Sequence, residues 1–175
     1  MQDPWALSGA ILIAILTFWG TIHERKKSVR IAVAAEIRSI MAMSRINGLA
    51  EHLTHLGNVS LGIEDKKFPR PSTSTDQSYF TVYEENAVDI GRLDPQKVIK
   101  IVMFYQRARN CLDAINHLAD YDFSSSTAEE VSYQYHFLAN MVEMLFSFGE
   151  KLIDELVDSR MAAQIRKSSD SLRTF

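Results

Sequence analysis

The sequence predicts an all-helical protein: an N-terminal transmembrane helix that continues into an antiparallel cytoplasmic bundle of three long helices plus one short helix. Three observations predict it. Residues 5–22, WALSGAILIAILTFWGTI, carry no charge. Beyond residue 30, apolar residues recur at alternating three- and four-residue spacing, the signature of one helix face. No pair of segments alternates apolar and polar residues as partnered strands would.

The uncharged run sets the topology. At about 1.5 Å rise per residue it spans roughly 27 Å, close to the hydrocarbon thickness of a bilayer. Arg25, Lys26, Lys27 and Arg30 follow it, whereas only the amino terminus and Asp3 precede it. By the positive-inside rule, residues 1–4 lie outside and everything after residue 23 lies in the cytoplasm, as a single-pass membrane protein. Trp5 and Trp19 suit the two interfacial belts. A cleaved signal peptide would have the opposite charge order and small residues at its end, where this chain has Phe18, Trp19 and Ile22. A buried core helix would need an equally apolar partner, and no other segment is uniformly apolar. Ala6, Ala10 and Ala14, continued by Thr17 and Thr21, form a small-residue face of the kind that lets helices associate in lipid, so a homo-oligomer is a candidate assembly.

Composition narrows the function classes. The 175 residues carry a net charge of −3 and a pI near 5.9, which argues against nucleic acid as the partner. The basic residues after the span serve as a topology signal and as contacts to anionic headgroups of the lipid bilayer. Cys111 is the sole cysteine, so no intrachain disulfide and no cysteine cluster for zinc can form, which fits a reducing compartment. Asn58-Val59-Ser60 matches a glycosylation sequon, a chance match on a cytoplasmic segment.

Each element has its own justification. Residues 23–56 continue the first helix through Val33, Ile37 and Ile40, then Ile46, Leu49, Leu53 and Leu56, with a phase shift near Met43 and a stop at Gly57-Asn58. Residues 57–78, with two glycines, two prolines and a Ser/Thr cluster, are an unpatterned, partly mobile loop. Residues 79–166 complete the bundle. Tyr79 to Tyr83 alternates but has no strand to pair with, and reads as an extended entry into a short helix over Val82–Ile90, closed by Gly91. Asp94-Pro95 opens the next helix with an N-cap and an N1 proline. Its stripe is Val98, Ile101, Tyr105, Ala108, Leu112, Ile115 and Ala119, ending at the 121–126 break. Thr127 and Glu130 form a capping box. The last helix carries Val131, Tyr135, Leu138, Val142, Leu145, Gly149, Leu152 and Leu156 and runs to about residue 166. Residues 167–175 are a flexible tail.

No catalytic, cofactor-binding or metal-ligating constellation stands out, and no enzyme activity is expected. Glu51-His52-x-x-His55 offers two imidazoles one turn apart but lacks a third ligand and the HExxH pattern. There is no Ser-His-Asp order and no glycine-rich phosphate loop. Cys111 sits beside an apolar stripe as a small buried hydrophobe. The last helix is acidic, with Glu129, Glu130, Glu143, Glu150, Asp154, Glu155 and Asp158 against Lys151, while Lys97, Lys100, Arg107 and Arg109 mark the helix before it. Such faces either pair between helices or dock a partner.

The block F80-x-V82-Y83-x-x-N86-x-x-x-I90-G91-x-L93-D94-P95, followed by V98-x-x-I101-V102-x-F104-Y105, resembles a pattern in small uncharacterised bacterial membrane-anchored proteins, in which a span precedes a helical cytoplasmic region. The likeness covers residues 79–105, with the anchor similar in layout only. It implies the single-span topology, at the bacterial inner membrane, and transfers no site. Physically, Tyr83, Ile90 and Leu93 can fold the short helix onto Phe104 and Tyr105, with Asn86 capping or bridging and Tyr83 stacking on Phe104. The expected function is protein interaction, as an accessory subunit or sensor with an unidentified protein partner. Tyr83, Asn86, Leu93, Phe104 and Tyr105 form the expected docking segment, within a conformation-sensitive region from Gly57 to Leu93. The alternative is a membrane-acting phage or toxin-like effector whose span oligomerises.

Overall fold

The computed structural model describes the backbone of residues 4–46, 48–65, 67–71 and 80–170, and side chains of residues 17–45, 48–65, 67–71 and 80–167. The first helix, α1 (Pro4–Ile46), is followed by α2 (Leu49–Ser60). The sequence predicts one helix through residue 56. Instead the chain breaks at Gly48, whose φ of 56° is left-handed, a region that side chains with a Cβ avoid. That residue resets the phase already shifting near Met43, so Leu53 and Leu56 stay on the core side. Gly57 does not end the helix. It lies inside α2, where an added methyl would stand 3.0 Å from the His136 ring and 3.2 Å from the Ser132 carbonyl oxygen. The glycine is there for close approach, and the loop starts only at Leu61.

Two further long helices complete the bundle. Asp94 caps α5 (Pro95–Asp120), accepting from the amides of Gln96 and Lys97 with Pro95 in the first turn. Thr127 and Glu130 form the reciprocal capping box of α6 (Ala128–Leu156). The eight α6 positions expected to face the core are all buried, each large one contributing about 1.5–3 kcal/mol over exposure. α6 is the shared neighbour of α1, α2 and α5. Arg38 of α1 pairs with Glu150, while Gly57 of α2 meets His136, so α1 and α2 follow one another along α6 in the opposite direction. α5 is also antiparallel to α6: Lys100 reaches Glu155 and Arg107 lies over Phe148. The described residues are thus an all-helical bundle without strands.

Three expectations need correction. The last helix does not run unbroken to residue 166. Val157 is extended (φ −128°, ψ 161°), and Asp158 starts α7 (Ser159–Asp170) by accepting from the Met161 amide at 2.9 Å. α7 folds back against α1, burying Ala162. The expected short helix is two single turns, α3 (Thr81–Glu85) and α4 (Ala87–Ile90), divided at Asn86, and Gly91 keeps a right-handed φ of −59°. On α5 the buried stripe passes through Cys111 and Leu118 rather than Leu112 and Ala119, so Leu112 is only half-buried. An i+3.6 pattern allows either neighbour, and the position of α6 selects one.

The segment after α2 is partly pinned. The Tyr135 hydroxyl donates to the Pro69 carbonyl at 2.6 Å, and Phe68 packs edge-on against Phe123. Arg70 donates to the Ala119 carbonyl near the end of α5. Residues 66 and 72–78 of the expected loop, residue 79, and the end of the expected tail, residues 171–175, lie outside the described residues.

Candidate functional site

Toward its N-terminus, the described part of α1 emerges from the bundle. Burial starts at Val29, and every residue from Thr17 to Ser28 is exposed. Phe18 and Trp19 are 65% and 71% exposed on that projecting stretch. Among the described residues no helix is long and apolar enough to cross a membrane. Most of the span expected over residues 5–22, including Trp5 and the alanine face at Ala6, Ala10 and Ala14, has side chains outside the described residues. The basic collar is spread around the helix. Arg25 pairs with Asp89 of α4 at 2.8 Å, Lys26 and Lys27 are exposed, and Arg30 is half-buried.

The expected docking segment folds onto the bundle as an internal joint. Phe104 and Tyr105 are fully buried and Leu93 nearly so. Tyr83 stacks on Tyr105, with centroids 4.1 Å apart, rather than on Phe104, which meets Tyr105 edge-on. Asn86 donates from Nδ2 to the Val82 carbonyl at 2.8 Å, bridging the two turns. The residue that organises this joint carries no local sequence signal. Glu36 of α1 accepts from the amides of Val82 at 2.6 Å and Tyr83 at 3.0 Å, capping α3 from another helix. Its second role is to accept from the Tyr105 hydroxyl. Burial and that carboxylate push the Tyr105 phenol far above its ordinary range.

The acidic residues of α6 are largely spoken for. Glu150 accepts from Arg38 and Arg45 of α1 and Arg166 of α7, and Arg166 also bonds Asp154. Lys100–Glu155 joins α5 to α6, and Arg109 pairs with Glu84 of α3. The charge pattern therefore ties helices together, with α1 and α7 supplying more of the cations than α5. Among the described residues no group of three or more His, Cys, Asp or Glu is placed to hold a metal ion. Burial pushes the Cys111 thiol up to about 11, which keeps it protonated and unreactive at neutral pH.

What remains open is an apolar band that the sequence stripe concealed. α6 buries one face fully, yet Tyr133, Phe137 and Met144 are 70%, 54% and 66% exposed. With half-buried Met141 and Phe148 they form a second stripe spaced 4-4-3-4, legible in the sequence once the first is set aside. Across the α5–α6 seam lie Ile99 and Met103, 53% and 38% exposed. At one end the band deepens into a groove of about 220 Å³ between Ala114, His117, Tyr121, Tyr133, Phe137 and Met141. Gln134 also lines it, and the buried Gln134 Oε1 has no hydrogen-bond partner.

No protein-family model, no curated protein and no solved structure matches this chain.

Proposed function

We propose that this chain is a single-pass inner-membrane protein whose cytoplasmic bundle binds a protein partner through the α5–α6 face. The exposed band from Tyr133 to Phe148 carries this reading. Contiguous apolar surface rimmed by polar residues marks interaction sites. Methionines and aromatics are the side chains that adapt to a partner helix. The partner is an amphipathic helix whose apolar face fills the seam. The projecting Phe18, Trp19 and Ile22, followed by the basic collar, support insertion with residues 23–175 inside.

Both halves are testable in cells. A C-terminal reporter active only outside the cytoplasm should stay silent, and activity there would reverse the topology. A photoreactive residue at Met144 should yield a discrete crosslinked protein species that Phe137→Asp abolishes, while the same probe at Glu85 should yield none. A crosslink to a second copy would make the face a homo-oligomer interface. No protein crosslink at Met144 would remove the docking role.

A further inference from the structure

A second cavity lies where α1 emerges from the bundle. It measures about 420 Å³, within the range of roughly 300–1,000 Å³ typical of small-molecule sites. His23, Lys27 and Arg30 contribute one wall, and their i, i+4, i+7 spacing puts them on one face of α1. The opposite wall is the α6–α7 turn, with Glu155, Val157 and Asp158. Both carboxylates on that wall already have partners. Glu155 takes Lys100 Nζ at 2.5 and 2.7 Å, and Asp158 takes the Met161 amide. The basic wall does not: among the described residues His23, Lys27 and Arg30 form no ion pair, and the buried Arg30 Nε has no hydrogen-bond partner.

We infer that this cavity binds a phosphate group, with the Arg30 guanidinium and Lys27 Nζ as donors and His23 closing the rim. A guanidinium with an unused N–H beside an ammonium is the arrangement that favours a phosphate oxygen. The depth is right for a lipid headgroup. If the hydrocarbon ends at Ile22, then His23, Lys27 and Arg30 lie about 1.5, 7.5 and 12 Å below it along the helix. The headgroup layer is about 5–7 Å thick, so Lys27 falls at its inner edge. The lipid source rests on the membrane reading above; the phosphate site itself does not. Bound there, a headgroup would link the anchor to the α6–α7 turn and set how the bundle sits at the bilayer surface.

The test uses the full chain in a neutral detergent, so its outcome is independent of topology. Hydrogen exchange over residues 155–161 is followed while adding dihexanoyl phosphatidylglycerol, glycerol phosphate, or dihexanoylglycerol, which lacks the phosphate. The expected result is protection by the phospholipid and none by dihexanoylglycerol, with apparent affinity at least tenfold weaker in Arg30→Gln. Lys27→Gln, on an exposed residue, should weaken it several-fold. Equal protection by glycerol phosphate and phospholipid keeps the phosphate site but makes its ligand a soluble phosphoester. Protection by dihexanoylglycerol, no protection by either phosphate compound, or full binding by Lys27→Gln would overturn the inference.

Discussion

The carboxylate of Glu36 on α1 accepts from the buried Tyr105 hydroxyl on α5 at 2.5 Å, and the same group caps the N-terminus of α3. One side chain thus holds three elements that are distant in sequence. Glu36→Ala leaves two amides and a buried phenol without their acceptor, at a cost of about 2–3 kcal/mol. Glu36→Gln keeps an acceptor oxygen and should lose about half as much. Urea unfolding of both variants checks this, and equal losses would make charge rather than acceptor geometry the cause.

Tyr83 holds the α3–α4 turns to the bundle by lying flat on Tyr105. Tyr83→Ala should cost about 1 kcal/mol beyond lost area. Amide exchange over residues 81–93 should quicken while α5 and α6 keep their protection. Unchanged exchange there would mean that Glu36 and the Asp89 and Glu84 ion pairs hold the joint without the ring.

Glu150 sits among Arg38, Arg45 and Arg166, with Arg38 only 7% exposed. Glu150→Ala brings three guanidiniums together without the shared carboxylate. Breaking a fully buried pair costs about 3–5 kcal/mol; Glu150 keeps 27% exposure, so about 2–3 kcal/mol is expected. α7 should lose protection first, since Arg166 is among its ties to α6. A thermal melt with exchange on residues 159–167 reads both effects.

Gly149→Ala tests packing against propensity. In an open helix the change would stabilise by about 1 kcal/mol. Here the new methyl would stand 2.5 Å from Met41 Sδ and 2.8 Å from Phe104 Cε2, and both neighbours are fully buried. Overpacking should dominate, for a net loss of about 1–2 kcal/mol. A stabilised variant would show that Met41 has room to move.

Alkaline pH should unfold the bundle. Burial raises Cys111 to about 11, Tyr135 to about 12 and Tyr105 further. In the unfolded chain these groups titrate near 8.5–10. Above about pH 9 the unfolded state therefore holds fewer protons than the folded one, so stability falls as pH rises. Their contribution is complete below about pH 8.5; Cys111 and Tyr135 lose theirs through about pH 12, and Tyr105 goes on losing its own at higher pH. Helicity and tyrosinate absorbance, followed together, should change in step for Tyr105. Full titration of all six tyrosines near pH 10 with helicity intact would contradict this.

Much of the secondary structure is legible because local chemistry specifies it. Asp94-Pro95 and the Thr127–Glu130 box start their helices by bonds within a few residues, and the α6 stripe needs only a count of spacing. Glu36 was illegible for the opposite reason. Its partners lie 46 to 69 residues away, and nothing near position 36 distinguishes a capping carboxylate from a solvated one. The Tyr83 partner shows the same limit at short range: Phe104 and Tyr105 are adjacent, and only the helix rotation decides which ring faces α3.

Taken alone, the sequence determined the helical class, the order of the long helices, their caps and the inward face of α6, since each follows from periodicity or from contacts within one turn. The breaks at Gly48 and Val157, the choice of Cys111 over Leu112, and the α5–α6 band left uncovered were decided only by tertiary structure. A helix with two apolar faces cannot declare which one its neighbours will take; that depends on where α1, α2 and α5 settle against α6.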